Sequence, residues 1–183
     1  VSALNGLAVD FSPKPLSDRA GNGLHINISV KGEGEGILEH MIAGILKYIK
    51  PMTLFLNPTE SSYRRLGSFK APRYISASRG NRSQLVRIPE AKEPYVRAEV
   101  RSPDQGANPY IAFALLIYAG MEGIREKLPL VKGLDQNLFL LSEEDLKDWE
   151  TIPKSLKEAK EEAAGSDFIK SILPQSVIDA YLR

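Results

Sequence analysis

The sequence predicts an α+β domain in which an antiparallel sheet is backed by helices. Two segments, 21–30 and 96–101, alternate polar and apolar residues with the two-residue period of a strand. Two others, 37–50 and 110–127, place apolar residues at helical spacing. The connections between the predicted strands after residue 72 are short, and short connections favour antiparallel pairing. With 183 residues, the chain has the length of one well-packed domain.

The first alternating segment reads GNGLHINISV. His25, Asn27 and Ser29 share one face of the predicted strand, and the aliphatic residues between them share the other. An imidazole is an ordinary ligand of divalent cations, and an amide and a hydroxyl suit a bound nucleotide. A single histidine on a strand usually has a structural role, so this pattern needs a partner strand.

The second alternating segment supplies that partner, because Arg97, Glu99 and Arg101 alternate with valine and alanine. One interpretation is a solvated strand face with cross-strand ion pairs. The other is a site in which a carboxylate lies between two arginines, opposite the imidazole of the first strand. The alternation by itself leaves both interpretations open.

Arginine is concentrated in residues 57–101, where eight of the chain's 11 arginines fall within 38 residues. They are Arg64, Arg65, Arg73, Arg79, Arg82, Arg87, Arg97 and Arg101. A planar guanidinium binds carboxylate or phosphate oxygens through two parallel hydrogen bonds. The stretch therefore predicts a binding site for a polyanionic small molecule. We expect a loop over 57–70 and strands at 73–77, 84–88 and 95–101.

Composition argues against other classes of partner. The net charge is +1, so no basic field indicates nucleic acid or a membrane surface, and aromatic residues are not interleaved with the arginines. The absence of cysteine excludes disulfides and thiolate metal sites and fits a cytoplasmic location. Nucleic-acid binding by the arginines is thus the least favoured hypothesis.

The remaining segments predict further elements. Residues 7–11 alternate like a strand that ends before Pro13. We expect the helix that begins near residue 37 to end at Pro51, and a buried helix over 110–127 with Asn108 as its N-cap. Amphipathic helices follow at 155–164 and 166–182, and Pro174 interrupts the second.

Four motifs in order, GNGLHINIS, NPTESSYRRL, NRSQLVRIP and RAEVRSPDQGANPY, resemble the catalytic domain of glutamine synthetase. The resemblance covers nearly the whole chain. It implies that residues 1–183 form the carboxy-terminal portion of such a domain, with the amino-terminal domain and the first part of the catalytic domain absent. It also implies an ATP-dependent ligase that forms γ-glutamyl phosphate and lets ammonia displace the phosphate. Members of the family form ringed homo-oligomers.

By this resemblance, His25 and Glu99 correspond to two ligands of the Mg²⁺ or Mn²⁺ ion that bridges the ATP phosphates. The residues that correspond to ATP contacts are Asn27, Ser29, Arg82, Arg87 and Arg97. Arg82 resembles the arginine between both substrates, which stabilises charge on the transferring phosphoryl group.

Gly21, Arg65 and Arg101 correspond, by the same resemblance, to residues that bind glutamate. Lys70 is a departure, because the family carries a glutamate there that helps to bind and deprotonate ammonium. A cation repels ammonium and cannot accept its proton. A parent that joins another amine or another acid is therefore an alternative to a glutamine synthetase.

The upstream glutamates that complete the metal sites in the family do not occur in these 183 residues. We expect the fragment alone to be inactive, because two ligands do not make a catalytic two-metal site. A second alternative is a non-catalytic relative that binds a nucleotide or metabolite through the same residues.

Overall fold

A computed structural model describes residues 1–32, 34–91, 96–130, 133, 136–142 and 144–183. The helices of this part are α1 (Ile37–Lys47), α2 (Ile49–Leu56), α3 (Glu60–Arg65), α4 (Pro109–Arg125), α5 (Leu156–Gly165), α6 (Asp167–Ile172) and α7 (Gln175–Leu182), with short 3₁₀ turns at Ala3–Asn5 and Leu138–Leu140. The strands are β1 (Ile26–Ile28), β2 (Ala77–Arg79), β3 (Val86–Ile88) and β4 (Ala98–Val100). The α+β class is confirmed.

The strands form one sheet in the order β1-β4-β3-β2. β4 pairs antiparallel with both β1 and β3, so that Glu99 lies opposite Asn27 on one side and Arg87 on the other. The faces of β1 and β4 alternate as predicted. Ile26 and Val100 are buried in the hydrophobic core, while the polar residues line the opposite face.

The prediction of a wholly antiparallel sheet is wrong for one pair, because β2 and β3 run parallel. Their connection, residues 80–85, turns at Gly80, whose φ of 74° is accessible to glycine at little cost. Gly80 N then donates to Ile88 O at 3.0 Å, and Val86 N donates to Ser76 O at 3.0 Å. The chain thus doubles back within six residues and re-enters the sheet in the same direction.

Two predicted strands do not form where expected. Residues 7–11 are exposed, and they pair with none of the strands that the structure describes. Residues 73–76 pair instead with the segment before α5, through Ile75 N to Glu150 O at 2.8 Å and Ile152 N to Arg73 O at 3.0 Å. Tyr95, the first residue of the predicted strand 95–101, lies outside the described residues.

Two helix predictions also need correction. Pro51 does not end a helix but lies in the first turn of α2, where a backbone N–H has no intrahelical partner and proline costs nothing. The predicted loop 57–70 contains α3, which starts with a capping box between Thr59 and Ser62. Glu60 in its first turn and Arg65 in its last add favourable charges at the two ends.

The helical layer is built on a close crossing of α1 and α4. Asn108 caps α4 and Pro109 occupies its first position, as predicted. The prediction that α4 is buried is only half correct, because Phe113, Ile117 and Met121 are 47–57% exposed. No helix in the described ranges is both long and apolar enough to cross a bilayer.

The carboxy-terminal helices are confirmed. Ser155 caps α5, Ser166 caps α6, and Pro174 separates α6 from α7. α5 packs against α2, and its Ala159 and Ala163 are fully buried there. These helices lie behind the sheet and leave its polar face uncovered.

Candidate functional site

The polar face of the sheet centres on Glu99 of β4. Its Oε1 accepts from Arg101 Nη1 at 2.7 Å and lies 2.9 Å from His25 Nδ1, and its Oε2 accepts from Arg87 Nη1 at 2.9 Å. The three partners come from β3, from just beyond β4 and from just before β1. Cross-strand pairing of the three strands is therefore what assembles the cluster.

The charges of this cluster determine its protonation. Burial raises the pKa of the Glu99 carboxyl, but the hydrogen bond from Arg87 and the charges of Arg101 and His25 outweigh it, so the pKa lies below its usual value. Burial and the neighbouring Arg101 charge lower the pKa of His25, although Glu99 opposes the change. The imidazole is then neutral at pH 7, its Nδ1–H donates to Glu99, and its Nε2 keeps a free lone pair.

Arg65 forms the base of the site and is 3% exposed. Its Nη1 donates to Ser102 O at 2.7 Å and its Nη2 to Arg101 O at 3.2 Å. The backbone at Gly21 lies against it, because a Cβ at Gly21 would be 2.2 Å from Pro13 O and 3.1 Å from Arg65 Cγ. A side chain larger than hydrogen is thereby excluded from this wall.

A cavity of about 420 Å³ opens over this base. It brings together eight of the residues predicted for the site, namely Gly21, His25, Arg65, Lys70, Arg82, Arg87, Glu99 and Arg101. The lining combines five cationic side chains with a single carboxylate. Such a lining favours an anionic ligand over a cationic one.

The other three predicted residues lie outside this cavity. Asn27 and Ser29 continue along β1 and line a separate groove of about 340 Å³ beside α4. Arg97 donates from Nε to Asn27 Oδ1 at 3.0 Å, which joins the two strands beyond Glu99. The predicted residues therefore fall into two groups, eight at the polar cavity and three along the edge of the sheet, where the neighbouring groove is mostly apolar.

His25 and Glu99 have donor atoms that suit a divalent cation, but these two residues alone do not form a complete metal site. Within the described ranges no group of three or more His, Cys, Asp or Glu residues is arranged to hold a metal. Both Glu99 oxygens already bind cations or the imidazole. Further ligands have to come from outside these residues, and an ion held by both side chains would replace the contact between them.

Two residues that sequence reasoning missed hold the base in place. Asp104 is fully buried, lies 4.0 Å from Arg65 Nη1, and accepts from Gly106 N at 3.0 Å. Asn57, also fully buried, donates from Nδ2 to Asp104 Oδ2 at 2.9 Å and to Ser102 O at 2.8 Å. Both occur inside the quoted motifs, but their spacing carries no periodic signal, so only the fold reveals the contact.

The fold and the site together define an α+β domain that presents anion-binding side chains on one face of its sheet. Comparison with known proteins places this domain more closely, because the family model for the catalytic domain of glutamine synthetase matches residues 1–183. The chain belongs to that family.

Similar proteins include the glutamine synthetase of Pyrococcus furiosus, which is 41% identical and aligns with 94% of this chain and 42% of its own length. The glutamine synthetase of Methanosarcina mazei is 38% identical, over 97% of this chain and 43% of its own. Among solved structures, a GmaS/ADP complex superposes with a TM-score of 0.83 and 28% identity, covering 98% of this chain and 45% of the other. The chain thus spans less than half the length of the proteins that it matches.

Proposed function

We propose that the parent protein is an ATP-dependent ligase of the glutamine synthetase type. The acid substrate, glutamate or a relative of it, takes a phosphoryl group from ATP to form an acyl phosphate such as γ-glutamyl phosphate. Ammonia or another amine then displaces the phosphate. The observation that carries the proposal is the cavity in which five cationic side chains surround one carboxylate on the sheet face, in a chain of this family.

Nucleotide binding is assigned to the sheet face on both sides of Glu99. Asn27 on β1 and Ser29 just after it, with Arg97 and Arg87, would supply amide, hydroxyl and guanidinium donors for the base, sugar and phosphates. The match to a GmaS/ADP complex supports a nucleotide as ligand. Arg82 is exposed at the cavity and is free to move towards the phosphoryl group in transfer, where it stabilises the developing charge.

Acid binding is assigned to the base of the cavity. Arg101 lines the cavity and its Nη1 donates to Glu99 Oε1 at 2.7 Å, which fixes the guanidinium where it would bind a carboxylate. Arg65 uses two of its five N–H donors on main-chain carbonyls, which fixes its orientation. The missing side chain of Gly21 lets the backbone pack against Pro13 O and Arg65, which keeps this wall of the cavity close to the Arg65 side chain.

His25 and Glu99 would hold a Mg²⁺ or Mn²⁺ ion together with ligands from the remainder of the parent. When bound, this ion supplies charge neutralisation and Lewis-acid polarisation for phosphoryl transfer. Glu99 keeps the His25 tautomer that presents Nε2, and Arg87 and Arg101 keep Glu99 ionised.

The assay of the proposal is ADP release by the full-length parent supplied with ATP, Mg²⁺, glutamate and an amine. We expect turnover that requires both co-substrates, and a loss of about 100-fold in kcat for Arg82→Gln. Arg183→Gln, which removes the exposed arginine at the end of α7, is the matched control and should retain activity. Nucleotide binding without turnover would favour the non-catalytic alternative.

The isolated chain is proposed to be inactive, because the metal site is incomplete within its described residues. Phosphate release above background by purified residues 1–183 would contradict this. For the parent we propose a cytoplasmic, ringed homo-oligomer, as the resemblance implies.

A further inference from the structure

The turn before β2 presents a cation at the rim of the cavity. Gly67 N donates to Ala71 O and Ala71 N to Ser68 O, both at 3.0 Å, which closes a tight turn around Phe69 and Lys70. Phe69 has a φ of 54°, a left-handed conformation that costs a bulky residue free energy. Its ring is held by the Lys14 ammonium at 4.1 Å from the ring centre. The turn is therefore a defined structure, and it places Lys70 at the rim of the cavity.

Lys70 lines the cavity but has no counter-ion there. The carboxylates near the cavity already have cationic partners, since Glu99 binds Arg87 and Arg101 and Asp104 lies beside Arg65. Lys70 forms no ion pair or hydrogen bond with any residue that the structure describes. A cation fixed beside other cations attracts an anion from solution and repels a second cation.

The cationic side chains lie at two depths in the cavity, and this difference indicates two substrate positions. Arg65 and Arg101 are 3% and 5% exposed at the base, whereas Lys70 is exposed at the opening. An acid substrate that reaches the base of the cavity is bound by these two arginines. A second substrate that enters afterwards meets Lys70 first.

On the basis of the ligase function proposed above, we propose that the amine acceptor carries a carboxylate of its own and that Lys70 binds it. The acceptor class is an amino acid, not ammonia or an alkylamine that lacks a carboxylate. The neutral amine nitrogen attacks the acyl carbon of the acyl phosphate and forms the C–N bond. The C–O bond to phosphate breaks with its electron pair on the phosphate, and the proton from nitrogen passes to solvent. Lys70 is a specificity-determining residue in this step.

The test uses the full-length parent and three pairs of amines matched in chain length. Each pair consists of an amino acid and the alkylamine that has a methyl group in place of its carboxylate: glycine and ethylamine, β-alanine and propylamine, 4-aminobutyrate and butylamine. ADP release gives kcat/KM for each amine at saturating glutamate. In the best pair, we expect the amino acid to be favoured at least about tenfold.

Variants at Lys70 then test whether this residue causes the preference for the amino acid. Lys70→Arg should keep the preference, and Lys70→Glu should lower the ratio within the best pair by about tenfold or more. Lys170→Glu, which makes the same charge change on the exposed face of α6, should leave the ratio unchanged.

The outcomes distinguish this inference from the function on which it rests. Turnover with ammonia alone, or equal use of both members of every pair, would overturn the inference and leave the ligase function standing. A Lys70→Glu effect confined to the KM of glutamate would place Lys70 at the acid and also overturn it. No ADP release with any amine would overturn the ligase function itself.

Discussion

Glu99 is the residue on which the candidate site depends, because it joins Arg87, Arg101 and His25 at once. Sequence alternation was sufficient to place Glu99 and His25 on the same face of neighbouring strands. It could not show that one carboxylate serves three partners, since that depends on the register in which Glu99 lies opposite both Asn27 and Arg87.

Replacement of Glu99 by glutamine should destabilise the chain by about 2 kcal/mol, because two guanidinium groups lose their counter-ion at a largely buried position. Urea unfolding of the 183-residue chain measures the change. Glu39→Gln removes an exposed pair with Arg79 and should cost less than about 1 kcal/mol. Equal costs for the two variants would show that the Glu99 cluster is no stronger than a surface ion pair.

The lowered pKa of His25 predicts how stability depends on pH. The unfolded chain takes up a proton on this imidazole near the ordinary value of 6.5, and the folded chain resists it. The free energy of unfolding should therefore be highest above 6.5 and fall as the pH drops below it. Urea midpoints at about pH 7.5 and about pH 5.5 measure the fall, and His25→Gln should reduce it. If the free energy of unfolding falls by the same amount in His25→Gln, other titrating groups cause the fall.

The crossing of α1 and α4 determines how the helical layer supports the sheet. A Cβ at Gly44 would be 2.1 Å from Ala119 O, and one at Gly123 would be 2.2 Å from His40 O, so the two backbones are in direct contact. The sequence predicted both helices from their periodicity and caps. It did not predict their close approach, because glycine in a helical pattern gives no indication of what lies against it.

Gly44→Ala should force α1 and α4 apart and destabilise the chain by about 3 kcal/mol. Gly165→Ala is the matched control, because a Cβ at the end of α5 meets no atom within 4 Å. This control should be neutral or slightly stabilising, since alanine favours the helix. Comparable unfolding midpoints for the two variants would contradict the close crossing.

Other elements show where sequence reasoning fails for physical reasons. The parallel pairing of β2 and β3 depends on a compact turn at Gly80, and a short connection alone favours the opposite arrangement. The sequence predicts a loop where α3 forms, because the capping box of this helix ends in Ser62, where the usual partner is Glu or Gln.

The whole molecule carries an apolar surface on the exposed side of α4, at the outer edge of the sheet. The surface consists of Tyr110, Phe113, Ile117, Tyr118 and Met121, which are 47–85% exposed. β1 lies beside it at the edge of the sheet, and in the part of the chain that the structure describes no strand pairs with its outer side. Extended apolar surfaces and open strand edges promote association.

We therefore expect the 183-residue chain to self-associate, and Ile117→Lys to shift it towards the monomer by placing a charge within this surface. Sedimentation velocity over a concentration series measures the shift. Ala180→Lys adds the same charge at an exposed position of α7 and should have little effect. A wild-type chain that stays monomeric at every concentration would contradict the expectation.

The central claim is that the sheet face around Glu99 forms part of a metal-dependent nucleotide site in the parent protein. Calorimetric titration of the full-length parent with ADP at saturating Mg²⁺ tests it most directly, with His25→Ala compared to His40→Ala. His40 lies on α1, its Nδ1 contacts Leu128 O at 2.7 Å, and it does not line the cavity around Glu99. We expect His25→Ala to weaken ADP binding at least about tenfold and His40→Ala to leave it unchanged. Equal binding by the wild type and His25→Ala would contradict the claim.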